Sequence, residues 1–410
     1  MRILYFLIPL CFCMTTVFAD GFWEEMSGTG ATQKHHPVTF TINDTAYMLT
    51  GSDAISVTDD FYRYNQEEDN WENIGTFPGG ARSYAYGREY DGKGYVGFGA
   101  TPASGGGFDE LFNDLWKFDP ETHEWTELEP CECSGRAHPA FIPHDGKIYV
   151  GLGQDPSDRN DWWEYDIEEE EWTEKDPMPA PGRHHPYHFQ AGDHVYAGMG
   201  HSGFNYFDDW FKFNTETKEW EEMNDHPGGP RVAGQEFSYN GKGYVISGDS
   251  AGHSNYKDGE FWEYHPEDDK WIRLADHPGN PPSDDRMGRW APGAFVLEGY
   301  AYFFGGVNRN DNYMFNDLWR YQLGQQVSID QENFEETMLA IYPNPAQDHI
   351  TIETEHYIDE IKVFNTQGSK MNIDQPENDR LDISHLNEGL YFIKTRDKDG
   401  NWSQSRFIKE

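Results

Sequence analysis

The 410-residue chain carries 73 Asp and Glu against 31 Lys and Arg, a formal charge of −42. That balance excludes nucleic acid as a natural partner, because phosphate binding needs a basic face, and it argues against docking on anionic lipid. Adding the 42 Gly residues to a hydrophobic fraction of 36% gives about 46%, inside the globular range, and 16% aromatics point to strands and tight turns.

In chain order, residues 1–19 read as a signal peptide. Arg2 supplies a positive start, and Ile3 to Phe18 is apolar apart from Thr15 and Thr16. Val17-Phe18-Ala19 offers a cleavage site that leaves Asp20 as the mature start. The run is short for a membrane helix of about 20 residues. After cleavage only Cys131 and Cys133 remain, so export is expected without a disulfide framework.

Residues 20–324 repeat a unit near 50 residues long. Its landmark is a Trp with acidic neighbours: Trp23, Trp71, Trp125, Trp172, Trp220 and Trp271, at spacings of 48, 54, 47, 48 and 51. An aromatic residue precedes five of them across an acidic turn: Tyr62, Trp116, Trp163, Phe211 and Trp262. The other half of each unit is a hairpin such as Asp91-Gly92-Lys93 or Asp145-Gly146-Lys147, leading into an aromatic-Gly strand. Six units of four short strands predict a six-bladed β-propeller, in which neighbouring blades bury what one cannot bury alone. The sixth unit lacks its outer strand, and Phe22-Trp23-Glu24-Glu25-Met26 is expected to supply it and close the ring.

This arrangement resembles the kelch family over roughly residues 21–323. One departure is visible: the paired Gly survives only as Gly305-Gly306, and three units have Gly-apolar-Gly instead.

A polar, acidic linker is expected over 325–337. The segment 338–410 opens with Ile341-Tyr342-Pro343-Asn344-Pro345-Ala346. It continues through Ile361–Gly368 and Leu381–Lys394 to Phe407-Ile408-Lys409, alternating apolar and polar positions between Gly turns. That pattern predicts a small immunoglobulin-like β-sandwich. The segment closely resembles the type A C-terminal sorting domain of type IX secretion cargo. The resemblance implies Sec export to the periplasm, passage through the outer membrane by the type IX machinery, a secreted or surface-attached product and a Bacteroidota-like host.

Aligning the units on their hairpins gives one basic residue before each inner strand: Lys34, Arg82, Arg136, Arg183, Arg231 and Arg289. Six cations at one channel mouth of so acidic a chain would focus an anionic ligand. A basic residue there is also common in kelch repeats, where it pairs with the framework. Two positions further on, three units carry His36, His138 and His185, and others Tyr84, Ala233 and Ala291. His201 and His253 are expected to reach the same mouth. Three imidazoles are candidates for zinc or copper, and His138 and His185 for a general base. Cys131 and Cys133 allow a disulfide, a metal pair or two free thiols, and Asp155, Asp158 and Asp161 share a loop with the chemistry for calcium.

The reading is therefore all-β: an exported six-bladed kelch-like propeller followed by a sorting sandwich. The expected function is binding of an acidic glycan or an extracellular protein, with Trp290 and Tyr84 stacking on sugar rings at the rim. The alternative is a carbohydrate-active enzyme, an acidic-sugar epimerase or a polysaccharide lyase, and a third reading is an adhesive scaffold plugged by its own side chains. No resident cofactor is expected beyond those metal candidates.

Overall fold

A computed structural model describes residues 23–278, 287–324 and most of 340–409. Residues 1–22 and 325–339, where the signal peptide and linker were read, lie outside the described residues. Trp23–Leu323 forms one compact unit.

Six four-stranded antiparallel sheets build that unit. Blade 1 runs through Val38–Ile42, Thr45–Leu49, Asp60–Asn65 and Asn70–Thr76, from the channel outwards. The inner strands of blades 2 to 6 are Tyr86–Tyr90, Ala140–His144, Tyr187–Ala191, Gln235–Tyr239 and Gly293–Leu297. Each inner strand neighbours the next, and Gly293–Leu297 neighbours Val38–Ile42, so the ring is closed.

Closure uses the N-terminal strand as expected. Trp23–Met26 pairs antiparallel with Leu318–Gln322 as the outer strand of blade 6, Trp23 opposite Tyr321 and Met26 opposite Leu318. Trp23 packs its indole against Phe261, Phe303 and Tyr321, and its Nε1 donates to the Ala275 carbonyl at 3.0 Å.

The local reasons lie in the turns. Asp91-Gly92 and Asp145-Gly146 both hold φ values of 48° and 72°, the doubly left-handed turn that suits strand twist. The departure from paired Gly is also explained. Thr50, Phe98, Leu152, Met199, Ser247 and Gly305 share one left-handed position, φ 52–61°. The Gly that follows is the one that packing requires. A Cβ on Gly99 would meet Ser83 O at 2.7 Å, and one on Gly153 would meet Ala137 O at 2.7 Å.

Between the second and third strands of blades 2 to 6 a short two-stranded ribbon rises over one mouth of the channel. In all six blades the connection after the second strand is pinned at its start to the residue that follows the basic one: His35 to Ser52, Ser83 to Ala100, Ala137 to Gln154, His184 to His201, Val232 to Asp249, and Trp290 to Val307.

The C-terminal unit is a sandwich of two four-stranded sheets. One orders Ala340–Tyr342, His349–Glu353, Arg380–Asp382 and Asp374–Glu377; the other Lys370–Met371, Ile358–Asn365, Gly389–Asp397 and Trp402–Lys409. Ile350, Ile352, Val363, Leu381, Ile393 and Phe407 fill its core, on the inward positions of the predicted alternation.

Candidate functional site at the channel mouth

The six basic residues are in register, but the structure takes them out of any ligand's reach. Arg82, Arg136, Arg183, Arg231 and Arg289 are 0% exposed and Lys34 1%. Each is paired with an acid that opens the third strand of its own blade: Asp60, Asp114, Asp161, Asp209, Glu260 and Asp317, taken in blade order. Arg136 and Arg289 grip both oxygens of Asp161 and Asp317. Four of the arginines also donate to the carbonyl of the left-handed residue, Phe98, Leu152, Met199 or Gly305, at 3.0–3.2 Å. The cations therefore tie the second strand to the third. Their charge is cancelled, and no inverted field of six free cations exists. The signal that could have shown this is the acid two residues before each third-strand aromatic, with a large apolar residue between, as in Asp114-Leu115-Trp116.

The next two positions of each blade form the mouth. His36, Tyr84, His138, His185, Ala233 and Ala291 all have φ between 50° and 64°. Non-Gly residues rarely hold that conformation, which here makes a collar around the channel axis. His36 N–H donates to Ala291 O, His138 N–H to Tyr84 O and Ala291 N–H to Ala233 O, which links neighbouring blades.

The collar brings together the three histidines that the sequence left in blades 1, 3 and 4. The ring centroids of His138 and His185 lie 3.6 Å apart, those of His36 and His138 5.2 Å, and those of His36 and His185 5.9 Å. His184, His201 and His253 continue the group, with centroids 4.0 Å apart from His184 to His201 and 4.9 Å from His201 to His253. Burial pushes His36, His138 and His185 well below the ordinary histidine range, and His35, His201 and His253 to about 4. Those imidazoles are therefore neutral at physiological pH, with their lone pairs available.

Other side chains complete the mouth. Trp290 packs against His35 and His36, at 5.1 and 4.4 Å, and Tyr84 against His138 at 4.2 Å. Arg309, exposed, lies over the Trp290 ring at 4.8 Å. Asp158 holds His184 Nδ1 at 2.5 Å. Asp249 is fully buried with neither oxygen hydrogen-bonded, and burial pushes its carboxyl up to about 7. His253 Nδ1 lies 3.9 Å from it. Sequence reasoning missed Arg309 and Asp249, whose ribbons carry no motif.

Below the collar the channel is filled. Arg88 of blade 2 reaches across to Glu236 of blade 5 at 2.6 Å, and His188 Nε2 lies 3.5 Å from the same carboxyl. A cavity of about 20 Å³ lies among His36, Tyr86, Arg88, His185 and Gln235, room for about one water. Beside the blade 4 ribbon a groove of about 600 Å³ is lined by Ser202, Phe204, Asn205, Tyr206, Phe207 and Pro230. His201 stacks on Tyr206 at 5.2 Å.

Two earlier alternatives are decided. Cys131 and Cys133 form a disulfide. Asp155, Asp158 and Asp161 do not share a cation: Asp155 pairs with Arg159, Asp158 with His184 and Asp161 with Arg136, which removes the calcium reading.

Comparison with known proteins agrees with this architecture. Residues 84–131 match the kelch motif, and residues 340–410 match the secretion system C-terminal sorting domain. The chain is an all-β propeller that carries a kelch motif over 84–131, joined to a type IX sorting domain over 340–410. The sorting domain marks it for export by type IX secretion to the cell surface or beyond. Among the described residues no helix is long and apolar enough to cross a membrane. Over 126 residues the chain is 32% identical to the N-acetylneuraminate epimerases of Shigella sonnei (strain Ss046) and Escherichia coli (strain K12). That match covers 30% of this chain and spans only 30% of the length of those relatives. The solved structure titled "Structure of YjhT" superposes with a TM-score of 0.58 at 18% identity, covering 73% of this chain and 98% of that one. This likeness shows the fold.

Proposed function

We propose that this exported propeller binds a carboxylated sugar or acidic glycan at the ribbon-lined mouth above the collar. The observation that carries the reading is the convergence there of neutral imidazoles, the aromatic rings of Trp290, Tyr84 and Tyr206, and the exposed guanidinium of Arg309. Aromatic faces suit the apolar face of a sugar ring, imidazoles donate or accept with hydroxyls, and a guanidinium matches a carboxylate. The relatives carry the name of a carboxylated sugar, which supports the same ligand class. Calorimetry of the full chain with N-acetylneuraminate, an acidic polysaccharide and a neutral one tests it. Binding of the acidic ligands that weakens with salt, and falls about 10- to 100-fold in Arg309→Ala, is expected from loss of one charge-assisted contact. Equal binding of the neutral polysaccharide, or none at all, refutes it.

One observation favours an enzyme as the second reading. Asp249 is buried, without a hydrogen-bond partner, and pushed to about 7, where a carboxyl can both give and take a proton. Lying at the mouth beside His253, it would offer a proton-transfer group to a bound acidic sugar. Among the described residues His138 and His185, the bases named from the sequence, have no such carboxylate partner. Exchange of sugar anomers followed by NMR, abolished in Asp249→Asn while binding persists, would establish turnover; no acceleration over buffer would leave a binder.

A further inference from the structure

Two trios of histidines at the mouth each place one nitrogen per ring within 4.8 Å of the others: His36, His138, His185 and His184, His185, His201. They differ in what holds the rings. In the second trio His184 Nδ1 lies 2.5 Å from Asp158 Oδ1, and His201 Nδ1 lies 3.0 Å from the Gly203 carbonyl. A carboxylate and a carbonyl only accept, so both Nδ1 atoms carry the proton and both Nε2 lone pairs are free. His201 Nε2 is buried without a partner, as are both ring nitrogens of His185.

The backbone beneath them is rigid. His184 and His201 face each other across the root of the blade 4 ribbon, exchanging N–H···O bonds of 3.0 and 3.1 Å, and His185 is the adjacent collar residue. Buried lone pairs with no donor, as on His185 and His201, are costly, and a cation that prefers imidazole satisfies them together with the free nitrogen of His184. A carboxylate or carbonyl behind a histidine is also the arrangement that orients and strengthens a metal ligand. The first trio lacks this support: His36 Nδ1 meets only the ring of His35, at 2.8 Å.

We propose that His184, His185 and His201 bind one divalent transition-metal ion of the zinc–copper class, oriented by Asp158 and the Gly203 carbonyl, with the remaining coordination left to water or ligand. This goes beyond the sugar reading and does not rest on it, because metal content is measured with no sugar present.

The full chain, stripped with chelator and dialysed, is loaded with Zn²⁺ for metal analysis and with Co²⁺ for absorption spectroscopy. One ion per chain with tetrahedral Co²⁺ bands is expected. The ion should be lost in His201→Ala, bound about 10- to 100-fold more weakly in Asp158→Asn, and retained in His36→Ala. Circular dichroism of the stripped proteins checks that each variant folds. Should His201→Ala not fold, the weakened but measurable Co²⁺ titration of Asp158→Asn decides. No bound ion, full affinity in Asp158→Asn, or loss in His36→Ala with retention in His201→Ala overturns the assignment.

Discussion

Arg183 shows why residue type and register do not define a site. It falls where a ligand-binding cation was expected, yet it is 0% exposed, and its Nη2 donates to Asp209 Oδ2 at 2.9 Å. Removing one member of a buried ion pair strands the other, at about 3–5 kcal/mol. Arg183→Ala is therefore expected to lower the urea midpoint sharply. Arg309→Ala should leave that midpoint unchanged while weakening acidic ligands. The opposite pattern would return the buried ring to the binding site. The histidines follow another logic. The grouping of His36, His138 and His185 was visible in sequence, but burial decides that they are neutral, and for His184 and His201 only the partners Asp158 and Gly203 decide which nitrogen is free.

At the scale of strands, the alternation of apolar positions and the turn residues between them make each blade legible, because both act within a few residues. The pairing of Trp23–Met26 with Leu318–Gln322 was also legible, since the sixth unit lacked one strand and the N-terminus had a spare one. Trp23 fills the seam between Phe261, Phe303 and Tyr321. Trp23→Ala should cost about 3 kcal/mol, the low end for a tryptophan because this one is only part-buried. Denaturant unfolding measures it, and a change below about 1 kcal/mol would mean that the closing strand contributes little. The ribbons were less legible. Each has only two to four residues per strand, too few for a periodic signal, yet they carry Asp158, His201 and Asp249.

For the whole propeller, buried titratable groups set opposite limits with pH. Burial pushes Glu236 up to about 8 despite Arg88. From the ordinary 4.5 to that value the folded chain holds a proton that the unfolded chain has released. This contribution is complete below pH 4.5 and is lost as pH rises through 8. His277, packed against Phe303 at 4.4 Å between tilted rings, is pushed the other way by burial. Its contribution is present above the ordinary 6.5 and is lost as pH falls below it. Each group gives a slope of up to about 1.4 kcal/mol per pH unit. Urea midpoints from pH 5 to 9 should show Glu236→Gln flattening the alkaline decline and His277→Phe the acid one; unchanged slopes would refute the assignment. Removing residues 338–410 should leave the propeller inside the cell envelope, as fractionation of cells and medium would show. Undiminished release would deny the sorting role.

The sequence by itself determined the six four-stranded units, their closure by the N-terminal strand and the sorting sandwich, because these follow from local alternation, turn chemistry and a repeat in phase. Tertiary structure alone decided the site. His36 and His185 come from blades 1 and 4 and meet only because the ring closes on its axis. Arg88 and Glu236 meet across the channel for the same reason. The basic ring was neutralised by acids 25 to 32 residues away, a distance along the chain that no local pattern spans. Spacing fixes which residues face the mouth; only the folded ring decides which of their charges and lone pairs remain free.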